Sequence, residues 1–311
     1  MLSRTASSLY WIGRYVERAD FTARLIEATV RLDALSSRPA GAAAWKSALT
    51  VIEAIEEYEA LGDPTTQQHV APFLTLAADN PGSIISCIEA ARRNARAVRT
   101  ALSREAWSAI NHAWLLITNR APVTDSTSLL ALVDQVQGDT RAFVGALTRM
   151  LHHPSSMFIH LGAAIERADN TARLMDVKYH ILLPEGELVG GTVDRDQWTT
   201  ILQTVSAVNA YRLLYRDGLD AGHVTEFLIL RPELPRSLVS SVSEILEHLG
   251  AIAQVTGNFS EADSFAMTRL ANLKRTKVSQ IIGEGLHEYL EDFLAQNALL
   301  DEAIGRQFRF V

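Results

Sequence analysis

The chain has 311 residues, 48% of them hydrophobic and 21% charged, with a formal net charge of -7. That length is enough for about two domains, and the acidic balance leaves no overall basic surface for nucleic acid or an anionic membrane, so any anion site must be local. The single cysteine, Cys87 in the apolar run SIISCIEA, excludes an internal disulfide and reads as a buried thiol in a reducing cytoplasm.

The first twenty residues, MLSRTASSLYWIGRYVERAD, place arginines and acids where a signal peptide needs an apolar centre. No run approaches the roughly 18 uninterrupted apolar residues of a membrane span. The expectation is a cytoplasmic protein, neither exported nor membrane-spanning. Helical spacing then predicts helices over 4–35, 43–61, 66–78, 82–101, 104–118, 125–151, 155–182, 194–216, 221–230, 235–256, 261–298 (with a break near Gly283 and Gly285) and 299–308. Eight of the nine prolines fall between these segments or at their starts, where a missing N–H costs little, and Pro72 falls inside 66–78. No alternating β-branched stretch reads as a strand, so the fold class is all-α.

Within the first helix, Leu9, Ile12, Val16, Ala19, Ala23, Ile26 and Val30 step by three and four along one face. The other side carries Trp11, Tyr15, Phe21 and Leu25, and a helix apolar nearly all round needs a cover. Set into it is the phrase ERADFTAR, Glu17 to Arg24. Gly13, Glu17, Asp20 and Arg24 share one flank, while Arg18 points about 100° away from Glu17. In the helix over 155–182 the phrase returns as ERADNTAR, Glu166 to Arg173, on a stripe of Phe158, Leu161, Ile165, Ala168, Ala172, Met175 and Tyr179.

Three ordered blocks repeat. Ser8 to Leu25 matches Met157 to Leu174 at a shift of 149 (166 − 17), pairing Gly13 with Gly162, Glu17 with Glu166, Arg18 with Arg167, Asp20 with Asp169 and Arg24 with Arg173. Trp45, Ala54 and Tyr58 match Trp198, Ala207 and Tyr211, and Phe73, Leu76, Pro81 and Ser83 match Phe227, Leu230, Pro235 and Ser237. This predicts a helical bundle of two tandem pseudo-symmetric halves, 1–151 and 155–311, of about six helices each. PEGELVGG (184–191) supplies the extra residues of the second half. One joint bundle and two separate ones both remain open.

Two readings of the repeated charges stand side by side. One is an internal ion-pair lattice, with Asp20 to Arg24 and Asp169 to Arg173 at i,i+4 and each glutamate meeting an arginine of a neighbouring helix. The other is a groove in which Glu17, Arg18, Asp20, Arg24, Glu166, Arg167, Asp169 and Arg173 bind a ligand or partner. Bundle metal sites favour Glu-x-x-His pairs, and the one present, Glu284-x-x-His287, stands alone, so no metal or cofactor is expected. A second constellation, Arg92, Arg96 and Arg99 with Asn94 and Arg93, has no arginine in its counterpart SEILEHLGA. It needs either carboxylates such as Glu17 and Asp20 or an external anion, for example an acidic peptide. Trp107, Asn111 and Trp114 share a face that reads as core, and His160, in the place of Trp11, reads as a hydrogen-bonded core histidine.

The motifs WIGRYVERAD and HLGAAIERAD, together with NPGSIISCIEAARRNARAVRTALSREAW, resemble the Alpha-E family of bacterial proteins over essentially the whole chain. Arg93 departs from the glutamate common at that place. The resemblance implies an all-α domain with a tandemly duplicated Glu-Arg motif, and genomic company with ATP-grasp ligases, transglutaminase-like proteins and peptidases. No phosphate loop, nucleophile elbow or zinc-protease motif is present. The functional expectation is a non-catalytic partner or substrate-presenting subunit of a peptide synthesis or modification system. The alternative is an enzyme acting on a peptide or amino-acid-like substrate at the duplicated Glu/Arg sites.

Overall fold

The computed structural model describes residues 3–35, 38–120, 123, 125–180, 191–216 and 218–310, and among them there is no strand. The helices are α1 (Ser3–Leu35), α2 (Arg38–Val51), α3 (Ile55–Leu61), α4 (Gln67–Thr75), α5 (Ile84–Ala97), α6 (Arg104–Thr118), α7 (Ser126–Leu147), α8 (Pro154–His180), α9 (Thr192–Thr204), α10 (Val208–Leu214), α11 (Ala221–Leu230), α12 (Leu238–Thr256), α13 (Glu261–Arg275), α14 (Val278–Glu284) and α15 (Leu286–Phe308). None is long and apolar enough to cross a membrane. Residues 184–190 of the expected linker, and the side chain of Tyr179, lie outside the described residues.

Several segments expected to be single helices are broken. The segment 43–61 splits into α2 and α3 at Glu53 (φ 55), and 194–216 splits into α9 and α10 at Ser206 (φ 57). These two elbows lie 153 residues apart (206 − 53), and in each the following alanine, Ala54 or Ala207, closes back onto Leu49 or Leu202. The periodic pattern did not reveal them because neither left-handed residue is a glycine. The segment 261–298 breaks at Thr276–Lys277 as well as at Gly285 (φ 104), whereas no break separates 298 from 299, since α15 runs through. Ser83 caps α5 by accepting from the Ser86 N–H at 3.2 Å, and Ser237 caps α12 from Ser240 at 3.1 Å.

At the centre, α1 and α8 lie side by side, running the same way. Leu9 and Phe158 from their N-terminal parts enter one core, Ile26 and Met175 from their C-terminal parts another, and each core draws on both halves of the chain. The expected stripes are buried. The cover that α1 needs comes from within the chain: α8, α5, α7, α2 and α9 all pack on it. Glycines allow the close approach. A Cβ on Gly13 would sit 1.9 Å from the Ile159 carbonyl oxygen, and one on Gly162 would sit 2.0 Å from that of Tyr10.

Because the obstacle on both sides is backbone, no rotamer change relieves it. Gly13→Ala should destabilise the fold by about 3 kcal/mol, the upper part of the usual overpacking range, measured by urea denaturation. An effect no larger than that of Gly250→Ala, where a Cβ meets nothing within 4 Å, would show that the helices are not held this close.

Candidate functional site

The crossing brings all eight repeated charged residues together. Glu17 is buried and accepts from Arg167 at 3.2 Å and from Arg236 of the turn before α12. Glu166 is buried between Arg14 (2.8 Å) and Arg18 (2.6 and 3.0 Å). Each Glu-Arg pair is therefore satisfied by the other copy. Arg18, about 100° round from Glu17, meets Glu166 instead, because the helix α8 occupies the side toward which that offset turns it. Arg24 binds Asp20 at 2.7 Å and Arg173 binds Asp169 at 2.7 Å, both at i,i+4. Beyond these, Arg24 donates to Ser206 and Arg173 pairs with Glu53, so each left-handed elbow meets the arginine of the opposite copy.

Burial penalises an ionised Glu17, yet the Arg236 and Arg167 guanidinium groups outweigh it and hold the carboxyl down at about 2. Glu166 is lowered against the same burial penalty by Arg18 and Arg14. Arg167 is shared with Glu244 at 2.6 Å, and Arg14 reaches Asp301. Burial pushes the Cys87 thiol up to about 12, which leaves it protonated at neutral pH.

On the Glu166 side the lattice opens to a cleft of about 260 Å³ between α1, α8, the Glu53 elbow and the turn before α5. Arg18, Glu166, Asp169 and Arg173 line it, with Gly82 and Glu53 at its edge. Two buried polar atoms in its wall, Thr22 Oγ1 and Asn170 Nδ2, have no hydrogen-bond partner. Such atoms are rare and point to a missing partner.

The Arg92, Arg96, Arg99 constellation lies apart from the lattice. Arg92 donates to Asn111 at 2.9 Å and its guanidinium sits 3.9 Å from the Trp114 ring centre, while Arg99 lies 5.3 Å from that of Trp107. The expected carboxylate partners Glu17 and Asp20 are taken instead by Arg167, Arg236 and Arg24, and the two tryptophans are half-buried platforms rather than core. Arg96 is exposed, and Asn94 turns back to the Ala90 carbonyl. His160, expected to be hydrogen-bonded in the core, is half-buried and stacks on His248 at 5.2 Å; burial and the His248 ring lower its pKa. His160, Glu244 and His248 offer three ligand atoms within 4.8 Å of one another. The rings are within 16° of parallel, so their in-plane lone pairs do not converge, and Arg167 holds one Glu244 oxygen. His287 meets Asp176 at 2.7 Å.

Sequence reasoning missed Arg14, Arg236, Glu244, Asp301, Thr22 and Asn170. For Arg236 a signal existed, since it stands between Pro235 and Ser237 where the first half has Gly82 between Pro81 and Ser83. For the others, no spacing rule names which distant helix supplies a partner.

Residues 1–308 match the model of the Alpha-E family, described as a predicted alpha-helical domain with a conserved ER motif. Among curated proteins, uncharacterized proteins of Mycobacterium bovis and Mycobacterium tuberculosis are 26% identical over 318 residues, covering 94% of this chain and 35% of each relative. The chain thus spans about a third of the length of the curated relatives it matches. No solved structure matches.

Removing a glutamate from this lattice strands buried guanidinium groups, at a cost of about 3–5 kcal/mol. Glu166→Gln should cost more than Glu17→Gln, because Arg18 has no second carboxylate, whereas Arg236 keeps Asp20 and Arg167 keeps Glu244. Chemical denaturation of the two variants checks the order; equal midpoints would contradict it. The pH dependence follows from the lowered carboxyls: their stabilisation is complete above the ordinary 4.5 and is lost as pH falls through the folded value, about 2 for Glu17. Urea midpoints should accordingly hold between pH 7 and 5 and fall steeply below, and the fall should be smaller in Glu17→Gln.

Proposed function

The chain belongs to the Alpha-E family, and on that premise we propose that it is a non-catalytic binding subunit, which holds a peptide or amino-acid-like substrate in the cleft beside the Glu-Arg lattice and presents it to a separate enzyme. The observation that carries this reading is geometric: Glu17 and Glu166 are each buried between two arginines, beside a cleft whose wall holds two unpartnered polar atoms, and the protonation states agree with it. General acid or base catalysis is most effective when the group titrates near the working pH. Glu17 at about 2, a lowered Glu166, raised Arg18 and Arg167, and Cys87 at about 12 are all fixed well away from neutrality. Such groups orient and hold charge; they do not exchange protons readily at pH 7. The open cleft with unpartnered polar atoms beside them supports binding.

The partner is an ATP-grasp ligase or a transglutaminase-like protein of a cytoplasmic peptide synthesis or modification system, as the family resemblance implies. In the curated relatives the matching segment makes up 35% of the chain, so there this unit sits beside other sequence, an arrangement that suits a presenting role. An enzyme acting on the same substrate class is the second reading. What favours it is Glu53, an exposed carboxylate at the cleft edge on a non-glycine left-handed residue.

Co-expression with the neighbouring ATP-grasp ligase and size-exclusion chromatography at micromolar concentration should give a complex, and ligation should require this chain. Separate elution, with ligation unchanged when the chain is omitted, rejects presentation. Product formed by the chain alone and lost in Glu53→Gln would favour the enzyme.

A further inference from the structure

The two copies of the Glu-Arg helix face unlike turns. Ahead of α12 the sequence reads Leu-Pro-Arg-Ser, and Arg236 extends from it to Glu17 and, at 3.1 Å, to Asp20. Ahead of α5 the sequence reads Asn-Pro-Gly-Ser, with Gly82 at the matching place 154 residues earlier (236 − 82). The two serines cap their helices alike, at 3.2 and 3.1 Å, so the turns serve equivalent positions.

Around Arg236 every group is satisfied. Asp20 receives Arg24, Arg236 and Thr140, and Thr171 donates to the Arg236 carbonyl at 3.0 Å. Around Gly82 the match of Thr171 is left open, together with Asn170, which stands in the place of Phe21. Thr22, which pairs with Thr171 in the repeat, has a fully buried hydroxyl without a partner, and Asn170, 8% exposed, has an unpartnered amide nitrogen. Asp169, the match of Asp20, meets Arg173 but no arginine from the turn. The cleft lies where a counterpart of the Arg236 side chain would extend. Its lining carries four carboxylates, Glu53, Glu57, Glu166 and Asp169, against two guanidinium groups, Arg18 and Arg173. Arg14 and Arg18 already neutralise Glu166, so the unmet negative charge sits at Asp169, Glu53 and Glu57.

From this asymmetry we infer that the cleft is a receptor for the guanidinium group of an arginine side chain in the presented peptide, the ligand supplying the cation that Arg236 supplies internally to the other copy. This rests on the reading of the cleft as the substrate seat. A guanidinium fits better than an ammonium because its planar fork reaches separated acceptors at once, as Arg236 does between Glu17 and Asp20. The acceptors on offer to it are the Asp169 carboxylate and the Thr22 hydroxyl, while the Asn170 amide nitrogen, a donor, is placed for a carbonyl of the peptide. Gly82 keeps the entrance free; a Cβ there would meet only the Asn80 Oδ1 at 3.3 Å and Ile52 at 3.8 Å.

The test is calorimetric titration of the full chain with N-acetyl-arginine amide and with its lysine and citrulline counterparts, citrulline being neutral and nearly isosteric with arginine. Arginine should bind at least about tenfold more tightly than either, the scale of a lost charge-assisted hydrogen bond. Gly82→Arg should fill the cleft from within and abolish binding while the thermal midpoint is kept or raised. Asp169→Asn should weaken arginine binding by at least about tenfold, and it decides the matter if Gly82→Arg does not fold. Equal binding of citrulline overturns the charge assignment, and equal binding of lysine overturns the guanidinium. A folded Gly82→Arg that binds as wild type, or no binding of arginine amide at millimolar concentration, overturns the site. Since these titrations need no ligase, their failure is distinct from failure of the chain to form the ligase complex, which bears on presentation itself.

Discussion

Everything in this molecule depends on two helices being allowed to touch backbone to backbone. With Gly13 and Gly162 each set against a carbonyl of the opposite helix, α1 and α8 approach more closely than larger side chains permit. At that separation the next turn of each helix cannot keep its charges in water. Adjacent Glu and Arg residues on one helix diverge by about 100° and so cannot satisfy each other. The other copy brings a carboxylate and a guanidinium within reach, which is why Glu17 finds Arg167 and Arg18 finds Glu166. The Glu-Arg pair and its duplication are thus one device: half of it would leave a buried charge without its counter-ion.

Such a lattice contributes definition more than net stability, since desolvating several charges offsets much of their attraction. Apolar stripes like those of α1 and α8 tolerate sliding by a turn. The three ion pairs that cross between the helices do not, because a shift of one turn would part Glu17 from Arg167 and Glu166 from one of its two arginines, Arg14 and Arg18. The pairs hold the register, and they thereby hold the cleft wall rigid. A binding site on such a wall loses little side-chain freedom when occupied.

The fold class and the long helices were legible because periodicity is a local property: the stripes of α1 and α8 are buried as their spacing predicts. The i,i+4 pairs were legible for the same reason. The partner of Arg18 was not legible, because a wheel drawn for one helix has no knowledge of the neighbour at its side. The cover of α1 could not be named, because hydrophobicity all round says that a helix is covered, not by what. For the Arg92 face the sequence offered carboxylates or an external anion, and the tryptophans spaced seven apart, Trp107 and Trp114, are neighbours it did not name. Cation–π contact leaves no complementary charge in a sequence to find.

The elbows show how a repeated sequence motif acquires a polar direction. A non-glycine residue in the left-handed region costs on the order of 1 kcal/mol or more, and here both copies carry one, Glu53 and Ser206. Each elbow aims its side chain at the arginine of the opposite Glu-Arg helix, so the conformation is tied to the lattice. What differs is the chemistry delivered. At Ser206 a neutral hydroxyl meets Arg24 beside an Asp20 that Arg236 has already neutralised. At Glu53 a carboxylate meets Arg173, consuming that guanidinium and leaving Asp169 with a shared counter-charge. The same backbone bend therefore adds negative charge on one side only. That side is also the one where the turn before α5 offers glycine in place of arginine. Two independent substitutions, at the elbow and at the turn, move the local field in the same direction and leave the Glu166 face the open one.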